Sequence, residues 1–390
     1  MYKKIFLSLL SLLLIFSLSA CSITAQPSKA DDNKFVKSVW IAFYELSTFT
    51  KDNDEKEFSK KISEAFKNLS KEGFNRVTVQ VRPFADAFYN SSYFPVSSYC
   101  FGNQGDELKY DPLNIMVDTA HKYKLEIEAW INPYRVSNTT DFDELSEKNI
   151  AVQWKNTDNL IVCDSGIYFN PASDEVNELI INGVKEILEN YDVDSICFDD
   201  YFYPSADKKI DNNSYKEYKN NGGDLTLDDW RRSNVNKMIK SVYKAVKSSE
   251  RDITFGISPA ANIENDYEAL YADVQLWSTK KGYVDYICPQ IYFGFQNENQ
   301  PFMKTAKSWL EMADCDCYVA LPLYKQGLED EFAGETGKKE FIENNNIVAR
   351  QFTYLTKLDG IKGVYIFSYS SLGENDESIN LYSAIQNSSQ

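Results

Sequence analysis

The stretch Leu125-Glu-Ile-Glu-Ala-Trp-Ile-Asn132 carries the pattern that decides the predicted fold. Apolar residues occupy every second position from Leu125, whereas the positions between them hold Glu, Glu, Trp and Asn. A period of two is the period of a β-strand, so the segment has one apolar face and one polar face. The apolar face can pack beneath helices while the polar face points into a barrel. The segment therefore predicts a strand of a parallel α/β barrel.

Similar strand-like segments recur along the chain and alternate with amphipathic helical segments. The predicted strands are Ser38–Tyr44, Arg76–Arg82, Leu125–Asn132, Ser195–Tyr201, Ile253–Ser258, Val284–Tyr292, Tyr318–Tyr324 and Ile361–Tyr369. The predicted helices are Glu55–Lys71, Asp111–Lys124, Asp174–Asn190, Leu227–Ser249, Tyr267–Lys280, Phe302–Met312, Lys338–Lys357 and Ser378–Gln386. Such alternation indicates a closed parallel barrel or a doubly wound sheet. The count of eight favours a (β/α)8 TIM-type barrel.

The longest predicted loops follow the second, third and fourth strands, at Pro83–Tyr110, Pro133–Ala172 and Phe202–Thr226. In barrel enzymes the loops that follow the strands build the active face, and long loops in compact domains are usually functional. Surface decoration is the alternative interpretation of these loops. No composition shift divides residues 37–390, so we predict a single barrel domain with long βα loops.

The first residues predict export. Lys3 and Lys4 precede an apolar run, Ile5–Leu18, which is short for a membrane span and typical of a signal peptide. The ending Leu-Ser-Ala-Cys21 resembles the lipobox of bacterial lipoproteins, and an incidental cysteine is the alternative. We predict a signal peptide at 1–20 and a lipidated Cys21 on a flexible tether at 21–36. This places the protein outside the cytoplasm, lipid-anchored to the outer face of the cytoplasmic membrane or envelope.

Composition excludes several functions. A net charge of -17 and a pI near 4.7 argue against nucleic acid as a partner. His121 is the single histidine, which disfavours Ser-His-Asp catalysis and multi-histidine metal sites. It falls near the end of a predicted helix, where a structural role is expected. We predict neither a metal nor a cofactor, so carboxylates and tyrosines must carry acid–base chemistry. The sequence determines neither disulfide pairing nor oligomeric state.

Two adjacent carboxylates, Asp199 and Asp200, end the fourth predicted strand. By alternation Asp199 shares a face with Ser195 and Cys197, so we predict that it points into the barrel mouth. Adjacent carboxylates raise each other's pKa, so one can stay protonated while its neighbour is ionised. Capping of a turn is the structural alternative.

Aromatic and hydrogen-bonding side chains also gather at the predicted strand ends. Sugars present apolar faces to aromatic rings and hydroxyls to amides and guanidinium groups, so such residues suit a glycan. The candidates for substrate binding are Arg82, Asp86, Trp130, Asn132, Tyr134, Arg135, Tyr201, Tyr203, Gln290 and Tyr292. About half of the aromatic residues are expected to belong to the core instead.

Six motifs in order carry a family resemblance. They are Val79-Gln-Val-Arg-Pro-Phe-Ala-Asp-Ala-Phe-Tyr89, Ala129-Trp-Ile-Asn-Pro-Tyr-Arg-Val136, Phe198-Asp-Asp-Tyr-Phe-Tyr-Pro204, Asp229-Trp-Arg-Arg232, Gly256-Ile-Ser-Pro259 and Asp285-Tyr-Ile-Cys-Pro-Gln-Ile-Tyr292. Together they resemble the glycosyl-hydrolase-like family 10 of bacterial envelope lipoproteins, from about Lys37 onward. The resemblance implies a barrel distantly similar to that of α-amylase. It also implies glycosidase activity on envelope glycan, with peptidoglycan strands lacking stem peptides as the substrate class. Glu128 departs from the family, where many relatives carry histidine.

The second catalytic group remains open. A retaining glycosidase needs two carboxyl groups about 5–5.5 Å apart, and an inverting one needs about 6.5–9.5 Å. Glu45 is the first candidate to join Asp199 and Asp200, and Asp86, Glu128 and Asp164 follow. In a third route the substrate's N-acetyl group is the nucleophile, and one aspartate orients it. The alternative function is a non-catalytic, glycan-binding envelope lipoprotein.

Overall fold

Eight parallel strands close into a barrel in this computed structural model, which describes residues 34–200 and 202–388. The eight barrel strands are β1 (Val36–Ile41), β2 (Arg76–Arg82), β3 (Glu126–Ile131), β7 (Ser195–Phe198), β8 (Thr254–Ile257), β9 (Tyr286–Ile287), β10 (Asp316–Pro322) and β11 (Ile361–Phe367). Three further strands, β4 (Arg135–Ser137), β5 (Leu160–Cys163) and β6 (Gly166–Phe169), form a separate small sheet. Around the barrel the order is β1-β2-β3-β7-β8-β9-β10-β11, and β11 pairs again with β1. The predicted (β/α)8 barrel is confirmed.

Helices surround this barrel. They are α1 (Phe43–Thr50), α2 (Glu55–Lys71), α3 (Ser98–Phe101), α4 (Pro112–Lys122), α5 (Ile150–Gln153), α6 (Asp174–Asn190), α7 (Asn212–Asn220), α8 (Leu227–Lys247), α9 (Ile263–Glu268), α10 (Val274–Thr279), α11 (Phe302–Met312), α12 (Gly334–Gly337), α13 (Glu340–Glu343), α14 (Ile347–Leu355) and α15 (Asp376–Asn387). Three of them, α2, α6 and α11, have the predicted bounds. In the described part of the chain, no helix combines the length and apolar character needed to cross a membrane.

Two predicted helices are wrong as single elements. The predicted helix Tyr267–Lys280 is split between α9 and α10, because Tyr271 has a positive φ of 54° and Asp273 starts the new helix. The Asp273 side chain accepts a hydrogen bond from the backbone N–H of Leu276 at 3.1 Å, which satisfies an end group of α10. The predicted helix Lys338–Lys357 is likewise divided into α13 and α14.

The first and sixth predicted strands extend too far. The first was expected to reach Tyr44, but β1 ends at Ile41 and α1 begins at Phe43. The sixth was expected over Val284–Tyr292, but regular pairing is limited to the two residues of β9. Pro289 has no N–H to continue the ladder, and Gln290 after it forms two isolated bridges, with Ala260 and Ala320.

The barrel interior has an apolar layer and a charged layer. Trp40, Trp130, Tyr286 and Tyr365 belong to one buried cluster inside the strands. Glu128 is fully buried next to them and accepts hydrogen bonds from Thr78 Oγ1 at 2.8 Å and the Tyr286 hydroxyl at 2.5 Å.

Arg76 supplies the positive charge for this layer. Its Nη1 lies 3.4 Å from Glu128 Oε1, and its Nη2 lies 2.7 Å from Glu126 Oε2. The carboxylate of Glu128 therefore lies in the barrel interior and is paired with Arg76. The prediction that Glu128 could be a catalytic carboxylate at the mouth is thereby corrected.

All three long loops contain secondary structure of their own. The loop after β2 contains the short helix α3, and the loop after β3 folds into a small antiparallel sheet in the order β4-β6-β5. The loop after β7 contains α7 and is fastened to α8, where Arg231 donates to both carboxylate oxygens of Asp211 at 2.6 and 2.9 Å. Both members of this ion pair are fully buried, so the loop that follows Asp199 and Asp200 is attached firmly to α8.

Candidate active site

A cavity of about 100 Å³ lies at the carboxyl ends of the barrel strands. It is lined by Trp40, Trp130, Asp199, Asp200, Ser258, Gln290, Tyr292 and Phe367. These side chains come from β1, β3 and β11 and from the segments that follow β7, β8 and β9. Five of the sequence candidates meet here, namely Asp199, Asp200, Trp130, Gln290 and Tyr292.

Asp199 is buried immediately after β7. Trp130 Nε1, on the neighbouring strand β3, donates a hydrogen bond of 3.2 Å to Asp199 Oδ2. The indole therefore fixes one carboxylate oxygen and leaves its own ring face on the cavity wall. Asp199 lies at the barrel mouth, as strand alternation predicts.

Asp200 lines the same cavity, although strict alternation would send its side chain to the opposite face. This is possible because regular strand geometry ends at Phe198. Burial raises the pKa of Asp200 to about 6, while a hydrogen bond with Gln290 and the positive charge of Arg135 oppose that rise. A carboxyl group with such a pKa can hold a proton at mildly acidic pH and release it near neutrality.

Aromatic rings and one amide complete the wall. The ring centroids of Trp40 and Trp130 are 4.8 Å apart, and those of Tyr292 and Phe367 are 5.8 Å apart. Gln290 Nε2 donates to the backbone carbonyl of Ser258 at 2.9 Å, which holds the amide beside Asp200. The cavity thus offers apolar faces and hydrogen-bonding groups together, as a sugar ring requires.

Arg82 and Asn132 lie buried at the ends of β2 and β3. Arg82 Nη2 donates to the carbonyl of Pro133 at 3.3 Å, and its guanidinium lies 4.5 Å from the ring centroid of Phe94. Asn132 accepts a hydrogen bond of 2.8 Å from Gln80 Nε2. Neither side chain lines the cavity of Asp199 and Asp200.

Asp86 lines a second cavity, of about 140 Å³, formed by the loops that follow β2 and β3. Gln104 Nε2 donates to its carboxylate at 3.0 Å, yet burial raises the pKa of Asp86 to about 6. Arg135, at the start of β4, places its guanidinium 4.7 Å from the ring centroid of Phe84, which lines the same cavity. Asp86 therefore lines the loop cavity and not the cavity of Asp199 and Asp200, whereas Arg135 acts on Asp200 through its charge.

Two predicted substrate contacts, Tyr134 and Tyr203, pack in the hydrophobic core and do not line the cavity of Asp199 and Asp200. Tyr134 is fully buried and donates to Asn177 Oδ1 of α6 at 3.1 Å. Tyr203 is buried as well, with its ring 5.2 Å from that of Tyr271. Both rings lie past the strand ends, where alternation no longer indicates direction. Two other predicted sites, Tyr201 and Cys21, fall outside the described residues.

Glu45 is engaged in structural hydrogen bonds. Its Oε2 accepts from the backbone N–H of Ala42 at 2.7 Å, and its Oε1 accepts from Ser368 Oγ and the N–H of Ser370, both at 2.6 Å. It does not line the cavity of Asp199 and Asp200. Asp164 is exposed between β5 and β6 and does not line that cavity either. We therefore assign no catalytic step to these two carboxylates.

The remaining reactive side chains have structural surroundings. His121 Nε2 lies 3.0 Å from Asp194 Oδ2, and this contact raises the pKa of the imidazole. Cys100, Cys163, Cys197, Cys288, Cys315 and Cys317 are free thiols. Across residues 34–200 and 202–388, no three His, Cys, Asp or Glu side chains are grouped so that they could hold a metal ion.

Asp266, on α9, is a buried carboxyl group that the sequence did not indicate as a site residue. Its side chain is fully buried, and the backbone N–H of Ala260 is a polar group that lies near its carboxylate. Burial, with a smaller contribution from the charge of Asp200, raises the pKa of Asp266 to about 9, which the nearby Ala260 N–H only partly opposes. No sequence motif marks Asp266. Ser258, which does line the cavity, lies on the polar face of the predicted strand Ile253–Ser258, and this position identifies it as a possible site residue.

The barrel and its mouth define a class of protein: the chain has the fold of barrel glycoside hydrolases, with two carboxylates at the ends of the strands. The catalytic domain of β-amylase from Paenibacillus polymyxa superposes with a TM-score of 0.59 at 10% identity, covering 92% of this chain and 99% of that one. The PgaB (BpsB) glycoside hydrolase domain from Bordetella bronchiseptica gives 0.58 at 11% identity, covering 89% and 98%. At such identities the likeness concerns the fold alone.

Residues 35–336 match the family described as Glycosyl hydrolase-like 10, and the chain belongs to that family. It is 32% identical over 376 residues to glycosyl hydrolase YngK of Bacillus subtilis, which covers 89% of this chain and 71% of YngK. It is also 32% identical over 286 residues to glycosyl hydrolase DigH of Escherichia coli K12, covering 67% of this chain and 64% of DigH. The resemblance carried by the six motifs is thereby confirmed at the level of the family.

Proposed function

We propose that this protein is a glycosidase that hydrolyses an envelope polysaccharide, with peptide-free peptidoglycan strands as its substrate class. The observation that carries the proposal is the position of Asp199 and Asp200 in one cavity walled by aromatic rings. Membership of a glycosyl-hydrolase-like family supports hydrolysis of a glycan. The substrate class rests on the family resemblance of the motifs.

In the proposed reaction the two carboxylates have different tasks. Asp200, with its pKa of about 6, donates a proton to the glycosidic oxygen as the bond to the anomeric carbon breaks. Asp199, fixed by Trp130, acts as the ionised partner. Water then supplies the hydroxyl group at the anomeric carbon and returns a proton to Asp200.

We favour the substrate-assisted form of this reaction. Among the described residues that line the cavity, the carboxylates are Asp199 and Asp200, which are neighbours in the chain. Neighbouring carboxylates on one wall suit a route in which Asp199 orients the N-acetyl group of the substrate. The carbonyl oxygen of that group attacks the anomeric carbon as the glycosidic bond breaks, and water then breaks the new carbon–oxygen bond and restores the N-acetyl group. A two-carboxylate mechanism instead requires groups on both sides of the scissile bond.

Product analysis tests the function. The purified protein is incubated with peptide-free peptidoglycan strands, chitin oligomers or α-glucans, and the products are identified by mass spectrometry. We expect cleavage of the peptidoglycan strands. Cleavage of α-glucans alone would refute the substrate class, and binding without any cleavage would support the non-catalytic glycan-binding alternative.

Two isosteric variants test the catalytic residues. In Asp200→Asn we expect turnover to fall by roughly 10²–10⁴-fold, since an amide cannot exchange the catalytic proton. Asp199→Asn should also lose turnover by orders of magnitude, since an amide lacks the negative charge of the ionised partner. The melting temperature and the binding of glycan should change little. A lowered melting temperature with unchanged turnover per folded molecule would assign the pair to a structural role.

A further inference from the structure

Phe332 is an apolar side chain with 84% of its surface exposed. Its loop is fastened on both sides of the ring: Asn299 Nδ2 donates to the carbonyl of Phe332 at 3.0 Å, and the N–H of Glu298 donates to the carbonyl of Ala333 at 2.9 Å. Lys325 also forms an ion pair of 2.8 Å with Asp330 in the same loop. The ring is therefore held out into solvent by a well-supported backbone.

The ring borders an open cleft of about 480 Å³. The cleft is lined by two phenylalanines and by side chains that are mostly amides: Asn262, Phe293, Asn297, Asn299, Gln300, Glu331, Phe332 and Gly334. Glu331, the charged member, lies 3.0 Å from Lys338 Nζ, so its charge is balanced locally. Aromatic surface among neutral hydrogen-bonding groups fits an uncharged sugar unit.

Two loops contribute residues both to this cleft and to the central cavity. Tyr292 lines the central cavity, and the next residue, Phe293, lines the cleft. Ser258 lines the central cavity, and Asn262, on the same loop after β8, lines the cleft. The central cavity, at about 100 Å³, holds only a small part of a polysaccharide, so the rest of a bound strand must lie beside it.

We infer that the cleft is a distal subsite in which Phe332 stacks on a neutral sugar unit of the strand whose scissile bond lies beside Asp199 and Asp200. The amides of the cleft bind hydroxyl or N-acetyl groups of that unit. This inference rests on the proposed function, because it assigns the occupant from the substrate of the neighbouring cavity. It predicts that the enzyme prefers long strands over short fragments.

The test compares Phe332→Ala with Phe332→Trp, which keeps an aromatic ring. Leu328→Ala serves as the matched control, since Leu328 is an exposed apolar residue in the same region, at 53%. On long peptide-free peptidoglycan strands, we expect Phe332→Ala to raise KM roughly 3- to 10-fold, the usual worth of one aromatic contact. On disaccharide-length fragments KM should stay unchanged, and Phe332→Trp and Leu328→Ala should match the wild type on both.

A second readout separates this inference from the proposed function. Binding of the same long strands is measured by calorimetry in the Asp199→Asn background, with and without Phe332→Ala. If no glycan is cleaved by the wild type but Phe332→Ala still weakens binding, the subsite stands and the catalytic proposal fails. Equal binding with and without the ring, or equal losses on long and short substrates, overturns the subsite.

Discussion

Gln290 lowers the proton affinity of the Asp200 carboxyl group from the segment after β9. Burial raises the pKa of Asp200 to about 6, and the hydrogen bond with the Gln290 amide opposes that rise because it favours the ionised form. Gln290 is itself fixed by the carbonyl of Ser258. One amide thus links the segment after β9 to the chemistry at the end of β7.

Replacement of Gln290 tests its effect on the pKa of Asp200. Since Asp200 must be protonated to act as the acid, kcat/KM should fall as the pH rises through about 6. Gln290→Met removes the bond that stabilises the ionised carboxylate, so we expect the alkaline limb of the pH profile to move to higher pH. Gln104→Met removes a similar bond from Asp86 and should leave the limb in place. An unmoved limb in Gln290→Met would contradict the assignment of the acid.

The buried carboxyl group of Asp266 makes the stability of the folded protein depend on pH. A carboxyl group ionises near pH 4 in an unfolded chain, whereas burial raises the pKa of Asp266 to about 9 in the folded protein. Between these values the folded state binds the proton and the unfolded state does not. The free energy of unfolding therefore falls as the pH rises through this window.

The Asp266→Asn variant has no such proton to lose. We expect its melting temperature, relative to that of the wild type, to increase steadily between pH 5 and pH 8. Scanning calorimetry at several pH values in this range measures the difference, whatever its absolute sign. A difference that does not change with pH would show that Asp266 is ionised in the folded protein.

Among the secondary-structure elements, the ends of β1 and β11 are joined by Glu45. One carboxylate oxygen supports the start of α1 through Ala42, and the other accepts from Ser368 and Ser370, just beyond β11. Phe367, at the end of β11, lines the central cavity. Glu45 therefore helps to position the wall of the cavity that Phe367 forms, although Glu45 does not line the cavity itself.

This role predicts the effect of Glu45→Gln. The amide group of glutamine must face a backbone or hydroxyl donor, and we expect a loss of ~1–3 kcal/mol in the free energy of unfolding. Turnover per folded molecule should remain within a few-fold of the wild type. Glu55→Gln, at an exposed first-turn position of α2, is the control and should be neutral. A loss of turnover by orders of magnitude with normal stability would restore Glu45 as a catalytic group.

Periodicity accounts for how far the elements and the site could be predicted. The bounds of α2 follow from its apolar stripe, its cap at Asp54 and the stop at Gly73. The break at Tyr271 leaves no such mark, because it depends on a backbone conformation that aromatic residues seldom adopt. Alternation locates Asp199 within the site, because Asp199 directly follows β7. Tyr203 is a sequence candidate only because it follows a predicted strand, where no periodicity indicates the direction of a side chain.

For the whole molecule, the lipid anchor proposed at Cys21 makes a direct prediction. A Cys21→Ser protein lacks the thiol that would carry the lipid, so we expect it to leave the membrane fraction and appear in the medium or the soluble envelope fraction. Cys163→Ser, which changes a partly exposed thiol of the barrel domain, is the control and should fractionate like the wild type. Retention of the Cys21→Ser protein in the membrane fraction would disprove the anchor.

The direction of β1 determines the side from which a glycan can reach the site. The chain enters the barrel at Val36, at the amino ends of the strands, whereas the cavity opens at their carboxyl ends. A glycan strand must therefore approach from the end of the barrel opposite to Val36, where the long βα loops border its path.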